Sequence, residues 1–182
     1  MKIVGITGTP GAGKGTITNY LVNKKGFVHY SASGFITEEI LRRGLKINRD
    51  SMNLVSNDLR KKYSSSYIIE QLLLRAKETG KDAVIEALRT VDEAKTLQTE
   101  GATILAIDAD QHLRYERILS RKSAKDNVCF EEFVKQEEKE NHSSDPTEQN
   151  VMGVMKIADI HLTNNGTKKE LEEKLEIALA KL

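Results

Sequence analysis

Short β-branched runs alternate along this chain with longer stretches whose apolar residues recur at helical spacing. Residues 2–7 form such a run and read as a buried strand. Residues 13–24 follow with Ile17, Tyr20 and Leu21 on a helical period, and Gly26 is a stop signal. Strands are predicted again at 27–30, 83–86, 103–107 and 160–163. Helices are predicted at 33–43 (Ile36, Ile40 and Leu41, closed by Gly44), 50–62, 65–79 (closed by Gly80), 90–100 and 111–122. A last amphipathic helix at 168–182 spaces Leu171, Leu175 and Leu179 by four. Strands that alternate with helices predict an α/β fold with a five-stranded parallel sheet covered on both faces.

The stretch 122–150 breaks this rhythm, being charged and poor in apolar residues. Within it "FEEFVKQEEKE" reads as a solvated helix and "NHSSDPTEQN" as a turn and helix start. A plain solvated connection and a mobile flap over a neighbouring site both fit it.

Composition narrows the class. The 182 residues suit one domain, and 38% hydrophobic with 30% charged residues is ordinary for a globular protein. A formal net charge of +1 gives no bulk attraction to nucleic acid or anionic membrane, and basic pairs such as Lys61–Lys62 lack interleaved aromatics. No apolar run reaches the roughly 18 residues of a spanning helix, and no leader pattern opens the chain, so a cytoplasmic setting is expected. The single cysteine, Cys129, is expected to be a packed or bystander thiol.

The chemistry sits first in "GTPGAGKGT", residues 8–16, between a predicted strand and a predicted helix. Gly8, Gly11, Gly13 and Gly15 surround Lys14, and glycines let several backbone N–H groups converge on one anion. The helix start adds a positive dipole end, and Lys14 adds a mobile charge for outer phosphates. The hydroxyl arrives one residue later than in G-x-x-x-x-G-K-[ST], at Thr16. Two further clusters are arginine-bearing. "VIEALR" ends the third strand with Glu86 and puts Arg89 three residues on, beside the loop at the carboxyl ends of the strands. "LRYERILSRKS" puts Arg114, Arg117 and Arg121 on one helix face, where a solvated basic face is the plain alternative, most of all for Arg114.

"GTPGAGKGT" resembles the loop of adenylate kinases and their nucleoside monophosphate kinase relatives, G-x-P-G-x-G-K-G-T. That resemblance implies a three-layer P-loop NTPase fold with ATP as donor and Mg²⁺ as cofactor. It makes Gly15 a family mark and puts the donor phosphates on Gly8, Thr9, Pro10, Gly11, Ala12, Gly13, Lys14, Gly15 and Thr16, with Thr16 beside the metal. It implies a mobile lid over 122–150 and an acceptor-side helical region over 31–80. "IEALR" looks like the family's D-G-F-P-R segment, so Glu86 would lie near the metal, through water, and Arg89 would grip the acceptor. "ERILSR" is similar to the run that opens the lid, so Arg117 would stack on the donor base and Arg121 would reach the transferring phosphoryl group. "ADIHLTNNGTKKEL" resembles the ending of dephospho-CoA kinases, which puts Asn164, Asn165 and Gly166 beside the donor base.

One segment departs. Where adenylate kinases carry S-T-G-D-x-x-R, this chain has "ASGFITE", with Phe35 for the aspartate and Glu38 for the phosphate-holding arginine. Arg42, Arg43, Arg49 and Arg60 are possible replacements, each with an exposed helix face as the plain alternative. The segment "RRGLKINRDSMNLVSNDLRKKY" instead resembles the insert of adenylate-kinase-related proteins. Phosphoryl transfer from ATP to a nucleoside or deoxynucleoside monophosphate is therefore the leading expectation. A dephospho-CoA-like acceptor is the second, and a non-catalytic nucleotide-binding regulator is the alternative of another class. A GTPase would carry N-K-x-D, and the chain has only "NKKG". A transporter ATPase would carry L-S-G-G-Q, which is absent. Small nucleotides are the expected partners, without nucleic acid or membrane.

Overall fold

The computed structural model describes residues 1–121 and 128–180. Five parallel strands form one sheet in the order β2-β3-β1-β4-β5: β1 (Ile3–Gly8), β2 (Val28–Ser31), β3 (Ala83–Glu86), β4 (Thr103–Asp108) and β5 (Ile160–Thr163). The expected α/β class with a five-stranded parallel sheet and helices on both faces is the observed one, a P-loop kinase fold.

The central strand β1 is buried at every position, as its "IVGITG" run requires of a strand covered on both sides. Its alternate residues feed two cores. Val4 and Ile6, with Val84, Leu105 and Ile107, meet α1 (Lys14–Lys25) and α9 (Lys168–Leu179) through Ile17, Leu21, Leu171 and Leu175. On the other face Ile3, Ile85 and Ile104 join residues of α2 (Ala32–Arg42), α3 (Arg49–Lys62), α4 (Tyr67–Thr79) and α5 (Val91–Thr99). Val154 completes that core from α8 (Val151–Lys156).

Helix starts follow local chemistry. Asn48, Thr90 and Thr167 cap α3, α5 and α9, each in a reciprocal box with the residue three along. Helix α8 begins where "NHSSDPTEQN", read as a turn and helix start, ends. Six residues with a glycine are too short to show a period, and the helix stands on the Asn150 cap and on buried Val151, Val154 and Met155. The remaining helices are α6 (Gln111–Ser120) and α7 (Phe130–Asn141). Residues 122–127 of the expected lid, and the last two residues of the expected closing helix, lie outside the described residues. No helix among the described residues is long and apolar enough to cross a membrane.

Candidate functional site

The carboxyl ends of β1 and β3 and the amino end of α1 meet around the phosphate loop. Gly13, at φ 111°, is the N-cap residue of α1 and offers no side chain to its first turn, which also lacks acidic residues. The positive end of the helix is therefore left without a capping side chain or a carboxylate of its own first turn, the arrangement that attracts an anion. A Cβ on Gly13 would come within 2.5 Å of Asn164 Nδ2, and one on Gly11 within 2.4 Å of the Arg114 carbonyl oxygen. These two glycines let the loop pack against its neighbours. At Gly15 a Cβ would meet nothing within 4 Å, so that position borders open space.

Lys14 Nζ donates to the carbonyls of Gly8 at 2.8 Å and Thr9 at 2.9 Å, folded back onto its own loop. Burial, with the Arg89 guanidinium next in effect, pushes the Lys14 ammonium down to about 7, against the pull of Glu86 and Glu140. Stability without ligand therefore gains as pH climbs from about 7 towards the ordinary 10.5, because over that range the unfolded chain holds the proton and the folded chain does not. A polyphosphate bound at Lys14 reverses the shift, so near pH ~8 nucleotide binding is expected to draw a proton from solution. Calorimetry in buffers of unequal ionisation enthalpy reads this directly. A buffer-dependent heat near pH ~8 that shrinks near pH ~6 is the expected result, and equal heats in all buffers would contradict it.

A cavity of about 530 Å³ opens here, and Pro10, Gly11, Gly13, Lys14, Gly15, Thr16, Glu86, Arg89 and Arg121 border it. Glu86 accepts from His29 Nε2 at 2.9 Å, across the β2–β3 pair. Burial pushes the Glu86 carboxyl up, but His29, Lys14 and Thr18 together outweigh burial and hold it below its ordinary value. His29 was not marked out by the sequence. Among the described residues no group of three or more His, Cys, Asp or Glu forms a metal cage. Thr16 and Glu86 on one cavity fit the way Mg²⁺ is usually held, by one or two protein oxygens plus phosphate and water.

A second cavity, about 280 Å³, adjoins the first and shares Pro10 and Arg89 with it. Arg49, Met52, Ser56 and Arg60 of α3 border it, with Ser33 and Ile36 of α2 and Glu140 of α7. Arg89 is set firmly between the two. Its N–H donates to Glu93 Oε2 at 2.7 Å, and its carbonyl accepts from Asn150 N at 2.7 Å. Two residues before it Ala87, the one non-glycine residue with positive φ among the described residues, stands at 75° and borders the second cavity.

Other predicted site residues lie elsewhere. Ala12 is buried in the core, and its carbonyl accepts from Asn164 Nδ2 at 2.7 Å. Thr9 is also buried, with Oγ1 donating to Asp108 Oδ1 at 2.5 Å. Arg117 donates to the carbonyls of Asn164 at 2.9 Å and Gly166 at 3.3 Å, tying α6 to the loop after β5. Asn165 Oδ1 accepts from Asp110 N at 2.8 Å.

Two expectations of exposure are corrected. Arg114 is 5% exposed, with Nε on the Ala109 carbonyl, Nη1 on the Pro10 carbonyl and both terminal nitrogens on Glu137 of α7. Arg60 is 2% exposed and gives Nε and Nη2 to Glu93 Oε1 at 3.0 and 2.8 Å. Each is buried because a carboxylate from another element neutralises it. The other candidate replacements are also paired, Arg42 and Arg43 with Glu39 and Arg49 with Glu140, and Glu38 itself pairs with Arg75. Cys129 is exposed, which rules out the packed alternative.

The chain is 29% identical to a UPF0200 protein of Thermococcus gammatolerans over 99% of this chain and 95% of the relative. In fold it is similar to the protein TT1252 from Thermus thermophilus, with TM-score 0.62, 24% identity and coverage of 100% and 97% of the two chains. It is also similar to a shikimate kinase from Aquifex aeolicus, with TM-score 0.54, 16% identity and coverage of 98% and 96%. The AAA domain family model matches residues 7–135, which begins at the phosphate loop and takes in both cavities' shared residues, Pro10 and Arg89; the chain belongs to the AAA domain family.

Proposed function

We propose that this protein is a phosphotransferase that moves the γ-phosphoryl group of ATP to a small acceptor, a nucleoside or deoxynucleoside monophosphate in the first instance. The supporting observation is the pair of cavities that meet at Arg89 and Pro10, one on the phosphate loop and one on the helices after β2. A donor in the first and an acceptor in the second would bring the two phosphates together at a guanidinium, and positioning with charge neutralisation is most of what this reaction needs.

In this reading the α1 N–H groups and Lys14 hold the β- and γ-phosphates, and Arg121 supports the transferring group from the edge of the cavity. Thr16 and, through water, Glu86 would hold Mg²⁺, which supplies charge neutralisation on the phosphate oxygens when bound. Asn165 and Gly166 border the donor base, with Arg117 as the brace of their loop. Residues 31–80 serve the acceptor and 122–150 the lid. With a phosphate oxygen as nucleophile no general base is required; with a hydroxyl acceptor Glu86 is the nearest base.

The test is incubation with Mg-ATP and a panel of nucleoside monophosphates, nucleosides, dephospho-CoA and shikimate, with ADP release measured. Turnover with one or more monophosphates is expected. Release that no acceptor raises above background would sink the proposal in favour of a nucleotide-binding regulator.

A further inference from the structure

Glu140 stands in the second cavity as a carboxylate between two arginines. Arg49 Nη2 donates to its Oε1, and Arg89 Nη1 donates to its Oε2 at 3.3 Å. The two guanidiniums come from α3 and from the segment after β3; among the described residues Glu140 is the residue of α7 that joins them, while Gln136 one turn earlier accepts from Arg49 Nη1 at 2.6 Å. Arg60 borders the same cavity. Its Nη1 is buried and has no hydrogen-bond partner among the described residues, while its other nitrogens are held by Glu93.

A buried guanidinium N–H without an acceptor is costly, and its neighbourhood marks a place where a ligand oxygen is wanted. Glu140 has two oxygens, and Arg49 and Arg89 take them both. A phosphate monoester has three terminal oxygens. It can satisfy the same two arginines and bring one more to Arg60. We propose that Arg49, Arg60 and Arg89 form a phosphate-monoester site, and that Glu140 is an internal carboxylate ligand which the incoming phosphate displaces.

Displacement requires only that the Glu140 side chain turn away. Glu137, one turn earlier, keeps α7 in place through its buried pair with Arg114 and accepts from Gln111 Nε2 at 2.8 Å. Between turnovers Glu140 neutralises the arginines, and the ligand must outcompete it. The site and its internal competitor stand on the arginine geometry; only the identity of the bound phosphate as the acceptor rests on the phosphotransferase proposal.

Orthophosphate is a sufficient probe, and nucleotide is left out so that the two ideas fail separately. In a Lys14→Ala background, which weakens the competing phosphate loop, affinity is measured by calorimetry with and without Glu140→Gln. Glu140→Gln is expected to tighten orthophosphate about tenfold, and Arg49→Gln or Arg49→Lys to weaken it about tenfold or more. Glu138→Gln, an exposed carboxylate on the same helix, makes the same charge change away from the site and is expected to do nothing. Equal effects of the Glu138 and Glu140 variants would overturn the proposal, as would acetate binding as tightly as phosphate, or no binding at all. Thermal melts confirm that each variant is folded. Phosphate binding that follows this pattern in a protein without phosphotransfer would leave the site standing and remove only the proposed function.

Discussion

Lys14→Ala is expected to reduce phosphoryl transfer about a hundred- to a thousandfold while the protein stays folded. The lysine is the one cation on the loop, and among the described residues its ammonium donates to the loop carbonyls of Gly8 and Thr9. Its removal takes no apolar packing from either core, because neither cluster includes it. It also removes a depressed ammonium whose burial opposes folding at neutral pH. Steady-state kinetics and a thermal melt on the same sample test both halves of the expectation. A rate near wild type would show that the loop does not serve the reaction, and a collapsed melt would show that Lys14 holds the fold.

Glu93→Ala is expected to cost about 3–5 kcal/mol of stability, a large share of the roughly 5–15 kcal/mol that separates folded from unfolded chains. Glu93 is fully buried and its Oε1 takes two donors from Arg60, while Oε2 takes the N–H groups of Arg89 and Thr90. Alanine leaves a buried guanidinium unpaired and frees the backbone that presents Arg89. Urea unfolding gives the first effect, and a rise in acceptor KM the second. A loss below about 1 kcal/mol would mean that water or a shift of α3 relieves Arg60.

The sheet was legible because a buried parallel strand writes itself as a β-branched run and each crossover helix as a period. The phosphate loop was legible because its function demands glycines at fixed spacing. What escaped depends on partners distant in sequence. The sequence groups Arg114 with Arg117 and Arg121 on a basic helix face, yet Arg114 sits four residues before buried Ile118, on the buried stripe of α6. That period was the available signal; its partner Glu137 lies within a charged run that reads as solvated. Thr90-x-x-Glu93 has the form of a capping box, and the structure uses it as one, but nothing local links Glu93 to Arg60. Glu140 is one of several glutamates in "FEEFVKQEEKE", and only tertiary structure separates it from its exposed neighbours.

Ala87 carries a different kind of consequence. A left-handed alanine costs roughly 1–2 kcal/mol, and the conformation is held by the N–H groups of Ala87 and Leu88, both donating to the Ile6 carbonyl. Glycine would relieve the cost, but it would also take a methyl from the cavity wall and loosen the turn between Glu86 and Arg89. At this position a sturdier backbone and a well-shaped pocket call for different residues, and alanine serves the pocket.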